Sequence, residues 1–139
     1  RFCKVDSVIV EELFGLYTFS QVHQLISTIS GTLMADKNIF DIFRLSFPMG
    51  SMTGAPKIMV MKLIEQYEKV CRELYSGSIG YIAPNGDFDF NVVIRSVLYN
   101  ANSGYLSYQT GGAITFDSIP ENEWQETLLK GKALELLRI

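Results

Sequence analysis

The chain has 139 residues, 47% of them apolar and 19% charged, with a net charge of -3 and a pI near 5.1. That balance belongs to a globular chain long enough to bury a core, and it excludes disorder. No basic stripe offers a footprint for nucleic acid, and no apolar run approaches the length of a membrane-spanning helix.

The two cysteines, Cys3 and Cys71, have neither zinc-site spacing nor the density of a disulfide framework. They read as thiols of a reducing, cytoplasmic compartment. The chain opens at Arg1 without an initiator Met or a signal peptide, as expected of a piece of a longer protein.

Val5 to Val10, short and β-branched, predicts a strand. Tyr17 to Leu33 predicts a longer one, because Val22, Gln24, Ile26 and Thr28 alternate with His23, Leu25, Ser27 and Ile29. Gly31 marks its bulge or its end. Asn38 to Phe47 reads as a helix with Ile39, Ile42, Phe43 and Phe47 on one side, stopped by Pro48. A second helix is predicted from about Ala55 to Lys69, with Pro56 in its first turn and a stripe of Val60, Ile64, Tyr67 and Cys71.

The period then changes to two. Ser78 to Ala83 and Phe88 to Tyr99 flank the hairpin signal Asn85-Gly86, and Asn102-Ser103-Gly104 returns the chain through Tyr105 to about Thr110. A three-stranded antiparallel meander is expected. Ser118-Ile119-Pro120-Glu121 has the form of a capping box, opening a last helix that carries Trp124, Leu128, Leu134 and Leu137. No linker, repeat or low-complexity tract divides residues 1–139. The class is α+β, an antiparallel meander with flanking helices.

Five places carry candidate chemistry. Phe47 to Lys57 packs Gly50, Ser51, Thr53, Gly54 and Lys57 at a helix entrance, either an anion site or a plain capping loop. It is not a Walker A loop, since Gly54 is not followed by Lys. Arg95 interrupts an apolar strand and is either paired with a carboxylate such as Asp89 or suited to bind one from a ligand. Gly111-Gly112-Ala113 ends the meander, as a bulge or as a close approach for a ligand. Glu123 and Glu126, spaced i, i+3, either complement the helix dipole or hold a hard cation. His23, the one histidine, is either a structural residue or a catalytic one.

The order of these segments resembles the chorismate-binding enzymes of the anthranilate synthase component I family. The run Pro48-Met49-Gly50-Ser51-Met52-Thr53-Gly54-Ala55-Pro56-Lys57 is similar to their signature. Gly77-Ser78-Ile79-Gly80-Tyr81, Gly86-Asp87-Phe88-Asp89, Ile94-Arg95, Gly111-Gly112-Ala113 and Glu123-Trp124-Gln125-Glu126-Thr127 follow in family order. Upstream, His23-Gln24-Leu25-Ile26-Ser27 looks like the family's His-Leu-Val-Ser segment. Ser51 and Thr53 resemble the aminodeoxychorismate synthase branch, whereas anthranilate synthases more often have Thr and Ser there.

The resemblance implies the C-terminal portion of a chorismate-binding domain. Its substrate site would include Ser51, Thr53, Tyr81, Arg95, Gly111, Gly112 and Ala113, with His23 near the substrate ring and Glu126 and Glu123 toward Mg²⁺. Ala113 departs from the family, which usually has a third Gly there; its methyl group is tolerable if φ is negative. The implied reaction replaces the 4-hydroxyl of chorismate with ammonia from a glutamine amidotransferase subunit, toward p-aminobenzoate and folate. Anthranilate synthesis and a non-catalytic binding module are the alternatives. The family's other Mg²⁺ glutamate and the lysine nucleophile of the aminating branch lie in segments upstream of these residues. The fragment alone is therefore expected to be inactive, and its uncovered apolar faces are expected to favour self-association.

Overall fold

The structure is a computed structural model that describes residues 1–20 and 23–135, with the side chains of 133–135 left aside. The chain forms two units, Arg1–Phe47 and Pro48–Ile139. In the first, β1 (Ile9–Thr18) pairs antiparallel with β2 (His23–Ser30), from Ile9 opposite Ser30 to Thr18 opposite His23. The single strand expected from Tyr17 to Leu33 is thus corrected: Tyr17 and Thr18 close β1, and β2 ends just before Gly31. Val22 of the expected alternation lies outside the described residues. The strand expected at Val5 to Val10 starts later, at Ile9.

Register shifts between Val10 and Gly15 bulge β1. There Phe14 takes φ 54° and its N–H donates to Ser27 Oγ at 3.1 Å. Tyr17 donates its hydroxyl to Glu12, and that hydrogen bond, then the nearby charge, raises the Tyr17 pKa. Helix α1 (Ile39–Ser46) follows. Asn38 caps it through its side chain, and Asp41 accepts from the Asn38 N–H, a reciprocal box that fixes the helix start.

The second unit opens with α2 (Gly50–Thr53) and α3 (Lys57–Tyr67). Gly54 between them sits at φ 108°, ψ -172°, a conformation open essentially only to glycine. Pro56 caps α3 rather than lying inside it, and the helix is shorter at both ends than Ala55 to Lys69. Val60 and Ile64 are half-buried, whereas Tyr67 and Cys71 are exposed.

Strands β3 (Ser78–Ile82) and β4 (Phe88–Val92) pair antiparallel around Asn85-Gly86, with Gly86 at φ 91°. Strands β5 (Val97–Asn100) and β6 (Tyr105–Tyr108) pair around Gly104 at φ 67°. The α+β class and both hairpins stand, but the three-stranded meander does not. The strand expected from Phe88 to Tyr99 breaks between Val92 and Val97, leaving separate two-stranded sheets. Val93 still bonds across the pair, to Gly77 O and from Ser76 N–H, and local bonds take over after it: Ile94 N–H donates to Val92 O at 3.0 Å and Ser96 Oγ to Ile94 O at 3.0 Å. Arg95 between them takes φ 51°.

Helix α4 (Pro120–Glu135) packs through a polar and small-residue face, Glu123, Thr127 and Gly131. Trp124 and Leu128 remain 60% and 45% exposed, and Leu137 lies outside the described residues. Pro120 is the first helical residue, so Ile119 takes the cap position expected of Ser118; the Ser118 hydroxyl donates to Glu123 at 2.9 Å instead. Among the described residues no helix is long and apolar enough to cross a membrane.

No apolar side chain among the described residues is fully buried, and Val5, Phe40, Val70, Ile114 and Phe116 are each more than two-thirds exposed. The chain exposes 11770 Å² at a mass of 15.7 kDa, against roughly 7300 Å² for a closed globular domain of that mass. These faces remain available to cover, or be covered by, further protein.

Candidate functional site

An open cleft of about 800 Å³ lies in the second unit. One wall is the short α2 with Ser51 and Met52; another is the stretch after α3 with Glu68, Lys69, Arg72 and Tyr75. Arg95 enters from the break between β4 and β5, Gly111, Gly112 and Ala113 from the end of β6, and Lys130 from α4. Four of these lining residues are cationic and only Glu68 is acidic. Arg72 and Lys130 are paired with Glu68 and Glu126, while Lys69 and Arg95 form no ion pair among the described residues, and that remaining positive charge in a concave place favours an anionic ligand.

Arg95 sits where its φ of 51° turns the backbone, an unusual conformation for a side chain of its size. Among the described residues it forms no ion pair, with Asp89 or any other carboxylate. Of the two readings open for it, the structure therefore lacks the internal pairing.

The glycine loop owes its residues to close approach. Gly111 and Gly112 have no positive φ. A Cβ on Gly111 would lie 2.8 Å from the Tyr75 hydroxyl oxygen, and one on Gly112 would lie 3.3 Å from Thr127 Oγ1. Ala113 has no positive φ either, so its methyl group sits without backbone strain.

Lys130 donates to Gly111 O at 3.3 Å and pairs with Glu126 at 2.6 Å, tying α4 to the loop. Glu123, one helical turn earlier, is half-buried beside Gly112 and accepts from Ser118. Two carboxylates of one helix are donors of the kind Mg²⁺ takes, commonly one or two carboxylates together with substrate and water, but neither Glu123 nor Glu126 lines the cleft itself. Among the described residues no cluster of three or more His, Cys, Asp or Glu converges on a point. Glu126 would have to exchange its lysine partner for a cation.

Other expected residues stand elsewhere. Thr53 does not line the cleft; its hydroxyl donates to Met49 O at 3.1 Å. Tyr81 is 64% exposed on β3, opposite Asp89, and also lies outside the lining. His23 belongs to the first unit, where its Nδ1 lies 3.1 Å from Thr18 Oγ1. Sequence reading missed Lys69, Arg72 and Lys130. Lys130 had a readable signal, since it falls one turn after Glu126 on the same helix face.

Arg72 and Glu68 form a two-point pair, Nε to Oε2 at 2.7 Å and Nη2 to Oε1 at 2.5 Å. The hydrogen bond to Arg72 lowers the Glu68 pKa below its ordinary value against an opposing desolvation, and Arg72 is raised in turn. The stability from a depressed carboxyl is present above its unfolded pKa and lost as pH falls through the folded one. Glu68→Gln should therefore lower the melting temperature slightly at pH 7, by an amount worth about 0.5 kcal/mol for so exposed a pair. Once the pH has fallen below the depressed folded value of Glu68, the difference from the unsubstituted protein should vanish. Thermal melts across that range check both.

Residues 1–135 match the family described as chorismate binding enzyme. A probable aminodeoxychorismate synthase from the chloroplast of Oryza sativa is 43% identical over 133 residues, 96% of this chain and 15% of that protein. An anthranilate synthase component I-like protein from Synechocystis is 41% identical over 134 residues, 96% of this chain and 27% of that protein. The crystal structure of anthranilate synthase component I from Streptococcus pneumoniae superposes with a TM-score of 0.80 at 31% identity, over 95% of this chain and 30% of that one. The chain thus spans between about a seventh and a third of the relatives it matches. With its glycine loop, its cationic cleft and a family match over almost its whole length, this chain belongs to the chorismate binding enzymes.

Proposed function

We propose that the protein carrying this chain aminates chorismate to 4-amino-4-deoxychorismate, as component I of an aminodeoxychorismate synthase, and that these residues are the C-terminal portion of its chorismate-binding domain. The observation that carries the reading is the cleft, which Lys69, Arg72, Arg95 and Lys130 line together with the loop Gly111 to Ala113. Chorismate has two carboxylates and a ring, the chemistry such a cleft selects. The Gly50-Ser51-Met52-Thr53-Gly54 wording and the 43% identity to a probable aminodeoxychorismate synthase favour the aminating branch. Likeness to anthranilate synthase component I keeps anthranilate formation as the second reading.

In this reading Arg95 holds a substrate carboxylate, Ser51 and the N–H groups of Gly111 to Ala113 face the substrate, and Thr53 and Tyr81 support it. His23 acts near the ring. Glu126 and Glu123 hold Mg²⁺, which would neutralise the ring carboxylate and stabilise charge developing as the 4-hydroxyl leaves. Ammonia comes from a glutamine amidotransferase partner, and the product leads toward p-aminobenzoate.

Product identification tests the proposal. The full natural polypeptide is supplied with chorismate, Mg²⁺ and either ammonia or an amidotransferase with glutamine. Aminodeoxychorismate is the expected product; anthranilate would establish the second reading, and absence of turnover would leave a binding module. Glu126→Gln is expected to weaken the Mg²⁺ requirement's apparent affinity at least about tenfold, since it removes a ligand. Unchanged Mg²⁺ dependence would remove Glu126 from the site.

A further inference from the structure

We propose that Arg72 is a positioning residue of the cleft, holding α2 and its Ser51 at the wall on which the substrate rests. The inference depends on the chorismate reading above for its ligand, and on the geometry alone for its mechanism. Four of the five guanidinium N–H donors are spent on three separate pieces of chain. Nε and Nη2 meet the Glu68 carboxylate just beyond α3. Nη1 donates at 3.0 Å to Met52 O in α2 and at 3.0 Å to Ser76 Oγ, which leads into β3.

Helix α2 needs such an outside donor. It has four residues and no side-chain cap at its start, too short to hold itself by its own hydrogen bonds. Met52 O is one of the terminal carbonyls that a helix leaves without an internal partner. Arg72, twenty residues away in sequence, supplies that partner from a side chain only 25% exposed. Ser51 and Met52 both line the cleft, so the clamp fixes the wall rather than the ligand. A planar fork reaches all three acceptors together, and the single ammonium of lysine does not.

The test uses the full natural polypeptide with Arg72→Lys, Arg72→Met and Arg72→Ala, titrated with chorismate by calorimetry, alongside hydrogen exchange of the α2 amides. Arg72→Met and Arg72→Lys are both expected to weaken chorismate binding about tenfold, because neither restores the fork. Methylguanidine should restore part of the affinity of Arg72→Ala. Exchange should quicken at the Thr53 and Gly54 amides, which in the parent donate to Met49 O and Gly50 O. A variant that melts lower yet binds chorismate like the parent overturns the proposal, as does parent-like exchange at Thr53 and Gly54 in Arg72→Lys. If the parent itself does not bind chorismate, the functional reading fails, and the exchange result still decides whether Arg72 positions α2.

Discussion

Arg95→Gln in the full natural polypeptide should lower kcat/KM for chorismate by about ten- to a hundredfold, chiefly by raising KM. A charge-assisted, two-point contact to a carboxylate is worth about 1.5–3 kcal/mol, and glutamine retains neither the charge nor the fork. Arg95 is suited to this task because no carboxylate of the described chain occupies it and because it lines the cleft. A second substitution separates substrate binding from folding. Arg95 sits at φ 51°, where glycine avoids a backbone cost of about 1 kcal/mol. Arg95→Gly should thus melt no lower than Arg95→Gln while losing at least as much affinity. Steady-state kinetics and thermal melts of the two variants check this; chorismate binding that survives in both would remove Arg95 from the site.

The second large effect concerns the floor of the glycine loop. A Cβ at Gly111 would stand 2.8 Å from the Tyr75 hydroxyl oxygen, and the side chain of Tyr75 also lines the cleft. Gly111→Ala should therefore displace either the loop or the ring, costing about 1–3 kcal/mol of stability as overpacking and narrowing the cleft. Tyr75→Phe removes the colliding oxygen. The double variant should recover part of the loss, with a coupling of about 0.5–3 kcal/mol between the two positions. Denaturant unfolding of the four proteins in the cycle measures that coupling, and strict additivity would show that the two groups do not meet.

Legibility in the sequence followed the range of the signal. The hairpins at Asn85-Gly86 and Asn102-Ser103-Gly104 announced themselves because glycine accepts positive φ where the turns need it. The sequence between β1 and β2 contains no Gly, Pro or Asn, so the alternation read on as one strand. The break at Arg95 depends on hydrogen bonds at Ile94 and Ser96, which leave no trace in hydrophobic period.

The site divided in a similar way. Arg95 and the paired glycines stood out because each violates the pattern around it. Lys69, Arg72 and Lys130 did not, since a lone cation on a surface segment is ordinary until folding brings several to one place. The resemblance nominated Thr53, Tyr81 and His23, and local geometry gives each a different neighbourhood: a helix carbonyl, an exposed strand face and a threonine in the first unit.

The exposed apolar faces carry a thermodynamic consequence. The heat-capacity change on unfolding, and the slope of stability against denaturant, both scale with the apolar area that unfolding newly wets. A chain whose described side chains already leave Val5, Phe40, Val70, Ile114 and Phe116 in solvent newly wets less apolar area when it opens than a closed domain of its mass would. On its own it would melt over a broader range of temperature and with a flatter stability curve than the same residues covered by further protein, whose transition would be sharper and more strongly curved.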